Sequence, residues 1–158
     1  MKRVNLFTAD TELDADDPDG FKAGMLRFGP SLDAALIGGT IYDLPPGQSN
    51  CPYHYEYGCE EWVIVVAGRL TLRHPGGEDV LEPGDVAVFP EGPSGAHRLT
   101  NAHDEPCRVL MLSTKGEPAV AVYPDSDKIG VWPGGDGDKI MVRRASNVDY
   151  WDGEIGSV

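Results

Sequence analysis

The stretch EWVIVVAGRLTLRH, Glu61 to His74, decides the class of fold. Its first half is an apolar run rich in β-branched residues, closed by Gly68. Its second half alternates apolar and polar from Leu70 to His74. β-Branched side chains favour strands, and a period of two places alternate residues on one face of a sheet. Two strands joined at Gly68 are therefore predicted. Downstream, PGGED (75–79) reads as a connection, VLEPGD (80–85) leads into the strand VAVFP (86–90), and HRLTN (97–101) and CRVLMLS (107–113) come after further turns. Upstream, IGGTIYDL (37–44) is a strand stopped by Pro45-Pro46-Gly47. Before Lys115 no segment repeats apolar residues at i, i+3, i+4 and i+7 over three turns, so a helical domain is not supported. Residues 37–114 read as antiparallel β, and strands this closely spaced close into a sandwich or barrel.

The chain has 158 residues, the size of one ordinary domain. It divides into the β core at about 37–114, an N-terminal arm over 1–36 and a C-terminal extension over 115–158. Within the arm, Asp14 to Gly20 has the composition of a solvated loop. In the extension, AVAVYP (119–124), KIGVWP (128–133) and IMVRRASNVDYWDG (140–153) are short strands or an arm that packs on another subunit, with polar GGDGDK (134–139) between. Strand edges needing cover and extended termini lead us to expect a homodimer.

Twenty-six acidic against 13 basic residues leave a formal charge of −13, which excludes a useful basic face and makes nucleic acid an unsuitable partner. No apolar run of about 18 residues is present, so no membrane partner is expected. Met1 to Phe7 lacks the apolar stretch of a secretory leader, and Cys51, Cys59 and Cys107 contain no Cys-x-x-Cys pair. Reduced thiols in a cytoplasmic protein are expected.

The densest set of ligating side chains is HYEYGCEEW (54–62), with His54, Glu56, Glu60 and Glu61 within eight residues. In a strand His54 and Glu56 share a face. Glu61 has the other parity, but Gly58 can open a bend or bulge that re-aims the residues after it, so Glu60 or Glu61 can complete a site. His97, after the turn PEGPSGA, offers a distant imidazole. Tyr53, Tyr55, Tyr57, Trp62 and Phe89 surround the cluster as packing residues, with a tyrosine available at a pocket mouth to hydrogen-bond a polar ligand. Arg69, Arg73 and Arg98 are the basic groups of these strands. His74 and His103 sit in polar turns and read as exposed.

These residues resemble the two motifs of the cupin superfamily. The first, G-x5-H-x-H-x3-4-E-x6-G, is similar to Gly47, His54, Glu61 and Gly68, with one extra residue before His54 and Glu56 in place of the second histidine. The second, G-x5-P-x-G-x2-H-x3-N, is similar to Gly84, Pro90, Gly92, His97 and Asn101, with two extra residues before the histidine. The resemblance implies an all-β fold, an antiparallel double-stranded β-helix or jelly-roll barrel. It also implies metal ligation by His54, Glu61 and His97, with Glu56 as fourth ligand. Two imidazoles and carboxylate oxygen suit a divalent transition metal: Fe, Mn, Ni, Zn or Co. Alternatively Glu56 stays unbound as a general base, with Tyr57 as a second candidate for moving a proton.

Two functions are expected from this pattern. One is a metal-binding cupin acting on a small polar organic molecule, as a dioxygenase, isomerase or lyase. The other is a non-catalytic cupin that binds a small ligand, with a degenerate or absent metal site.

Overall fold

Thirteen antiparallel strands form the framework of the computed structural model, which describes residues 1–135 and 137–156; Asp136, inside the GGDGDK stretch, lies outside the described residues. In chain order they are β1 (Glu12–Leu13), β2 (Gly24–Arg27), β3 (Ile37–Leu44), β4 (Tyr55–Tyr57), β5 (Glu61–Ala67), β6 (Leu70–His74), β7 (Gly77–Leu81), β8 (Val86–Phe89), β9 (Arg98–Thr100), β10 (Cys107–Thr114), β11 (Ala119–Tyr123), β12 (Lys128–Trp132) and β13 (Ile140–Arg143). One sheet has the order β1-β2-β3-β10-β5-β8. The opposing strands are β13-β12-β11-β4 and β7-β6-β9. Backbone bridges at His54↔His97 and Ser49↔Thr100 stitch these two groups together beside β4 and β9. Two facing antiparallel layers of this kind form a double-stranded β-helix.

The run from Glu61 to Ala67 alternates in burial although it is almost wholly apolar. Val63 and Val65 are buried against the opposite layer, whereas Trp62 is 39% exposed. Leu44, Leu70, Leu99 and Val109 join them in the core between the layers. Removing one such side chain from water stabilises the fold by roughly 1.5–3 kcal/mol. Glu61 has the parity of Val63 and so also points inward.

Gly68 has φ +76°, and a Cβ there would run into the carbonyl of Pro106 and sit 2.8 Å from Cys107 Cα. Only glycine allows the β5–β6 turn to pass so close to β10. The PGGED segment is more ordered than its composition implies: β7 already begins at Gly77, and a tight turn at Pro75-Gly76 closes the β6–β7 hairpin. Outside 37–114, β2 pairs with β3, and β11 pairs with both β12 and β4, so flanking segments add strands to both layers. No helix among the described residues is long and apolar enough to cross a membrane.

The N-terminal arm is tied down by one charged cluster. Arg108 on β10 donates from Nε to Asp43 Oδ1 at 2.7 Å and from Nη2 to Oδ2 at 2.6 Å, and from Nη1 to the carbonyl of Leu6. Thr11 donates to the same carboxylate. The hydrogen bonds from Arg108 hold Asp43 below the usual carboxylate range. A carboxyl with a depressed folded pKa stabilises fully above its unfolded value, about 3.9, and its contribution disappears as pH falls through the folded value. Arg108→Ala is expected to lower unfolding stability by about 1–2 kcal/mol at pH 7, the lower part of the range because Asp43 is partly exposed. The difference between the two proteins should shrink at pH 3. Urea unfolding of both at the two pH values checks this, and an equal gap at each would contradict it.

Candidate metal centre

His54 and His97 are brought together by the backbone before their side chains are considered. They face each other across the bridge that joins the two strand groups, exchanging His54 N–H to His97 O at 3.1 Å and His97 N–H to His54 O at 2.8 Å. Their ring centroids are 4.7 Å apart. Each ring is oriented by its second nitrogen: His54 Nδ1 lies 3.0 Å from the carbonyl of Pro52, and His97 Nδ1 lies 2.9 Å from that of Gly95. A carbonyl can only accept, so Nδ1 carries a hydrogen in both rings and Nε2 is the atom turned toward the centre. Burial lowers the pKa of His54, but Cys51 and Glu61 outweigh it and push it up to about 11, so its Nε2 holds a proton that a metal would displace. Nε2 of His97 keeps its lone pair. Flat neighbours fix the ring planes. Phe89 stacks on His97 at 3.6 Å and 9°, and Tyr123 stacks on His54 at 5.8 Å and 21°.

Glu61 reaches the same point from the other layer. Its Oε2 is 3.6 Å from His54 Nε2 and 3.5 Å from His97 Nε2. The ligating atoms of His54, Glu61 and His97 all lie within 4.8 Å of one another. Glu61 Oε2 and His97 Nε2 are buried, and among the described residues neither finds a hydrogen-bond partner. Orphaned buried polar atoms are costly, and here two of them face one another at a spacing that a cation can bridge. Two imidazoles and a carboxylate, once His54 gives up its proton, fit a divalent transition metal. The Nδ1-to-carbonyl bonds are the outer contacts that commonly orient ligating histidines.

Glu56 stands beside this set, with Oε1 3.9 Å from His54 Nε2. Burial raises its pKa, and the charge of Glu61 raises it further. For Glu61 burial acts in the same direction, but the adjoining His54 ring and the charges of both imidazoles outweigh it and hold the carboxyl low. The two carboxylates are thus driven apart, Glu61 toward the ionised form and Glu56 toward proton exchange. Burial, and then the charge on His54, pushes His97 down to about 4.

The bend expected at Gly58 is present, at φ +84°. The chain leaves β4 in one layer and enters β5 in the other, so Glu56 and Glu61 approach the centre from opposite sides. Glu60 turns outward and accepts a hydrogen bond from Trp62 Nε1. Tyr57 is set apart from the centre: it alternates with Glu56 along β4, is 45% exposed and lies edge-on to Tyr55. Its side chain packs on the outside of the strand, which corrects its expected place at the site. Asn101 is a structural group, donating to the carbonyls of Leu44 and Glu105 at 2.8 Å each. His74 and His103 are both half-buried rather than exposed, and among the described residues Nε2 of His103 finds no hydrogen-bond partner.

A cavity of about 260 Å³ opens on the centre and brings in residues outside the two motifs, among them Arg27, Thr40, Tyr42, Ser113 and Tyr123. Cys51 is also at its wall, with Sγ 3.6 Å from His54 Nδ1. Tyr42 shares its parity in IGGTIYDL with Leu44, which lies in the core, and so faces inward. Arg73, by contrast, is engaged by Asp125 and lies over the ring of Tyr53.

Residues 40–113 match the family described as Cupin domain. A sugar phosphate isomerase from a cupin superfamily of Silicibacter pomeroyi is similar in structure, with TM-score 0.79, 24% identity, and 96% of this chain and 98% of that chain covered. A solved protein of Acidithiobacillus ferrooxidans also has TM-score 0.79, at 22% identity with 90% of each chain covered. The polyketide cyclase RemF from Streptomyces resistomycificus has TM-score 0.59 at 22% identity, covering 75% of this chain and 83% of that chain. No curated protein matches the chain by sequence. The matched domain contains both histidines and Glu61, and the likeness of the solved structures extends through the flanking strands as well. The 40–113 segment thus matches a Cupin domain, and the chain as a whole shares the fold of these solved structures.

Proposed function

We propose that the protein is a metal-dependent cupin enzyme that moves a proton on a small polar, oxygen-bearing organic molecule, as an isomerase or lyase does. The observation that carries this reading is the convergence of His54 Nε2, His97 Nε2 and Glu61 Oε2 at a buried point, with the Glu56 carboxyl next to it at the wall of a cavity. His54, His97 and Glu61 would hold a divalent metal, which supplies polarisation of a substrate oxygen. Glu56 is the group that takes the proton from the carbon beside that oxygen and returns it to a neighbouring atom. Tyr123, burial of which pushes its hydroxyl up to about 12, stays protonated and donates to the bound molecule. Phe89 and the backbone carbonyls keep both rings in place, so the ligand set needs little rearrangement. The sugar phosphate isomerase of Silicibacter pomeroyi, similar in fold, supports an isomerase reading over oxygen chemistry.

Elemental analysis after exposure to iron, manganese, nickel, zinc or cobalt, followed by assay on hydroxy and keto acids and on sugar phosphates, tests the proposal. About one metal per chain and proton exchange into substrate from deuterated water are expected. Metal without any exchange would instead favour the ligand-binding cupin.

We also propose a homodimer through the outer face of the larger sheet, where Trp62 opposes Val88 and Ile64 opposes Val86. Val86 is 52% and Val88 42% exposed. Light scattering should report twice the mass of one chain at micromolar concentration, and Val86→Lys should shift it toward one chain. A monomeric wild type contradicts the interface. Three free thiols suit a reducing compartment, and we place the protein in the cytoplasm.

A further inference from the structure

The geometry points to a substrate that carries an oxyanion at the end away from the metal centre, held by Arg27, and hydroxyl or carbonyl oxygens toward the centre. This inference rests on the reading of the cavity as the substrate pocket, and it names the substrate class. In a chain with a formal charge of −13, basic side chains are readily taken up by acids. Arg73 is taken by Asp125, Arg108 by Asp43 and Arg144 by Asp127. Among the described residues Arg27, which is exposed on β2, is the only lysine or arginine at the wall of the cavity beside His54 and Glu61, and it has no carboxylate partner.

Its position is set by register. Arg27 pairs with Thr40, Thr40 with Met111, and Met111 with Val63, so the four form one row across β2, β3, β10 and β5. Glu61 lies two residues from Val63 on the same inward face. Arg27 is therefore three strand spacings from Val63, and with the two-residue offset along β5 about 16 Å from Glu61 at the backbone, and both side chains line the cavity between them. What remains between the guanidinium and the ligating atoms suits a short carbon chain. Thr40, Tyr42 and Ser113 supply hydroxyls along it. Burial pushes Tyr42 up to about 12, so it remains a neutral donor. Neutral hydroxyls along the middle and a cation at one end match a polyhydroxylated anion.

The rim opposes this sign. Glu12, Asp14 and Asp17 line the outer depression that shares Arg27, Tyr42 and Cys51 with the cavity. Those carboxylates are solvated, and salt screens them over about 10 Å, whereas a guanidinium meets a carboxylate or phosphate through two direct charge-assisted bonds. The direct contact decides the preference. A cationic ligand would have to sit beside Arg27, which disfavours it.

Carboxylate and phosphate share this chemistry, and paired probes separate them. Calorimetric titration of the full-length protein with ribose 5-phosphate against ribose, and with glycerate against glycerol, is compared for wild type, Arg27→Gln and Arg27→Lys. Metal content of each is measured in parallel. Wild type should bind at least one anion more tightly than its neutral counterpart. Arg27→Gln should weaken that anion about tenfold or more, with neutral binding and metal content unchanged, and Arg27→Lys should recover part of the loss. The pair with the larger loss identifies the oxyanion. Equal binding of both anions by wild type and Arg27→Gln, or no preference for either anion over its counterpart in wild type, overturns the inference. Absence of metal in wild type would instead defeat the metal reading and leave the Arg27 comparison valid.

Discussion

Replacing His97 by alanine should reduce metal affinity by at least about 100-fold, the effect of removing one of three ligands from a set with no spare imidazole. His97 is 1% exposed, its ring is held between Phe89 and His54, and among the described residues Nε2 has no other partner. His54 and Glu61 alone would leave the ion largely open to water. Loss of the buried ring also lowers stability without metal, so the decisive readout is the rise in melting temperature on adding metal. Wild type should show it, and His97→Ala should not. Because imidazole ligands bind deprotonated, metal uptake releases protons and weakens as pH falls. An unchanged metal-induced shift in the variant would show that His97 is not a ligand.

Glu56→Gln should leave the metal in place and lower turnover by about 10²-fold or more. The amide keeps the size and hydrogen-bonding capacity of the carboxyl but cannot take a proton. Glu56 is the acid that burial and Glu61 both drive toward proton exchange, and it lies beside the three-residue set rather than within it. Glu56→His is the complementary change. It restores the second histidine of the motif, and should tighten binding of nickel or iron while turnover stays low. Metal content and turnover measured together separate the two roles. If Glu56→Gln loses metal in proportion to activity, Glu56 is a ligand, and if neither quantity changes it is outside the site.

Much of the barrel can be read from local pattern because strand periodicity is a local property. The alternation of LTLRH and the β-branched run before it locate β5 and β6, and Glu61 shares the inward parity of Val63. The histidine pair is also readable, since His54 and His97 each lie in a spaced set of Gly, Pro and Asn residues that form turns. What the sequence does not display is which strands face each other. Gly58 signals a bend or bulge that re-aims the residues after it, and the structure shows a bend there that carries the chain from one layer to the other. Arg27 and Tyr123 come from strands beyond the motif region, and their arrival at the cavity depends on pairing of β2 with β3 and of β11 with β4. Tyr57 is misplaced by the same omission: its closeness to Glu56 in sequence puts it on the opposite face of a strand.

The measurement closest to the central claim is an anomalous-scattering map from crystals of the protein loaded with cobalt or nickel, collected on either side of the metal edge. One strong peak per chain is predicted, in contact with Nε2 of His54, Nε2 of His97 and the carboxylate of Glu61. A peak ligated elsewhere, or a fully loaded crystal in which either imidazole turns away from the ion, would contradict the account.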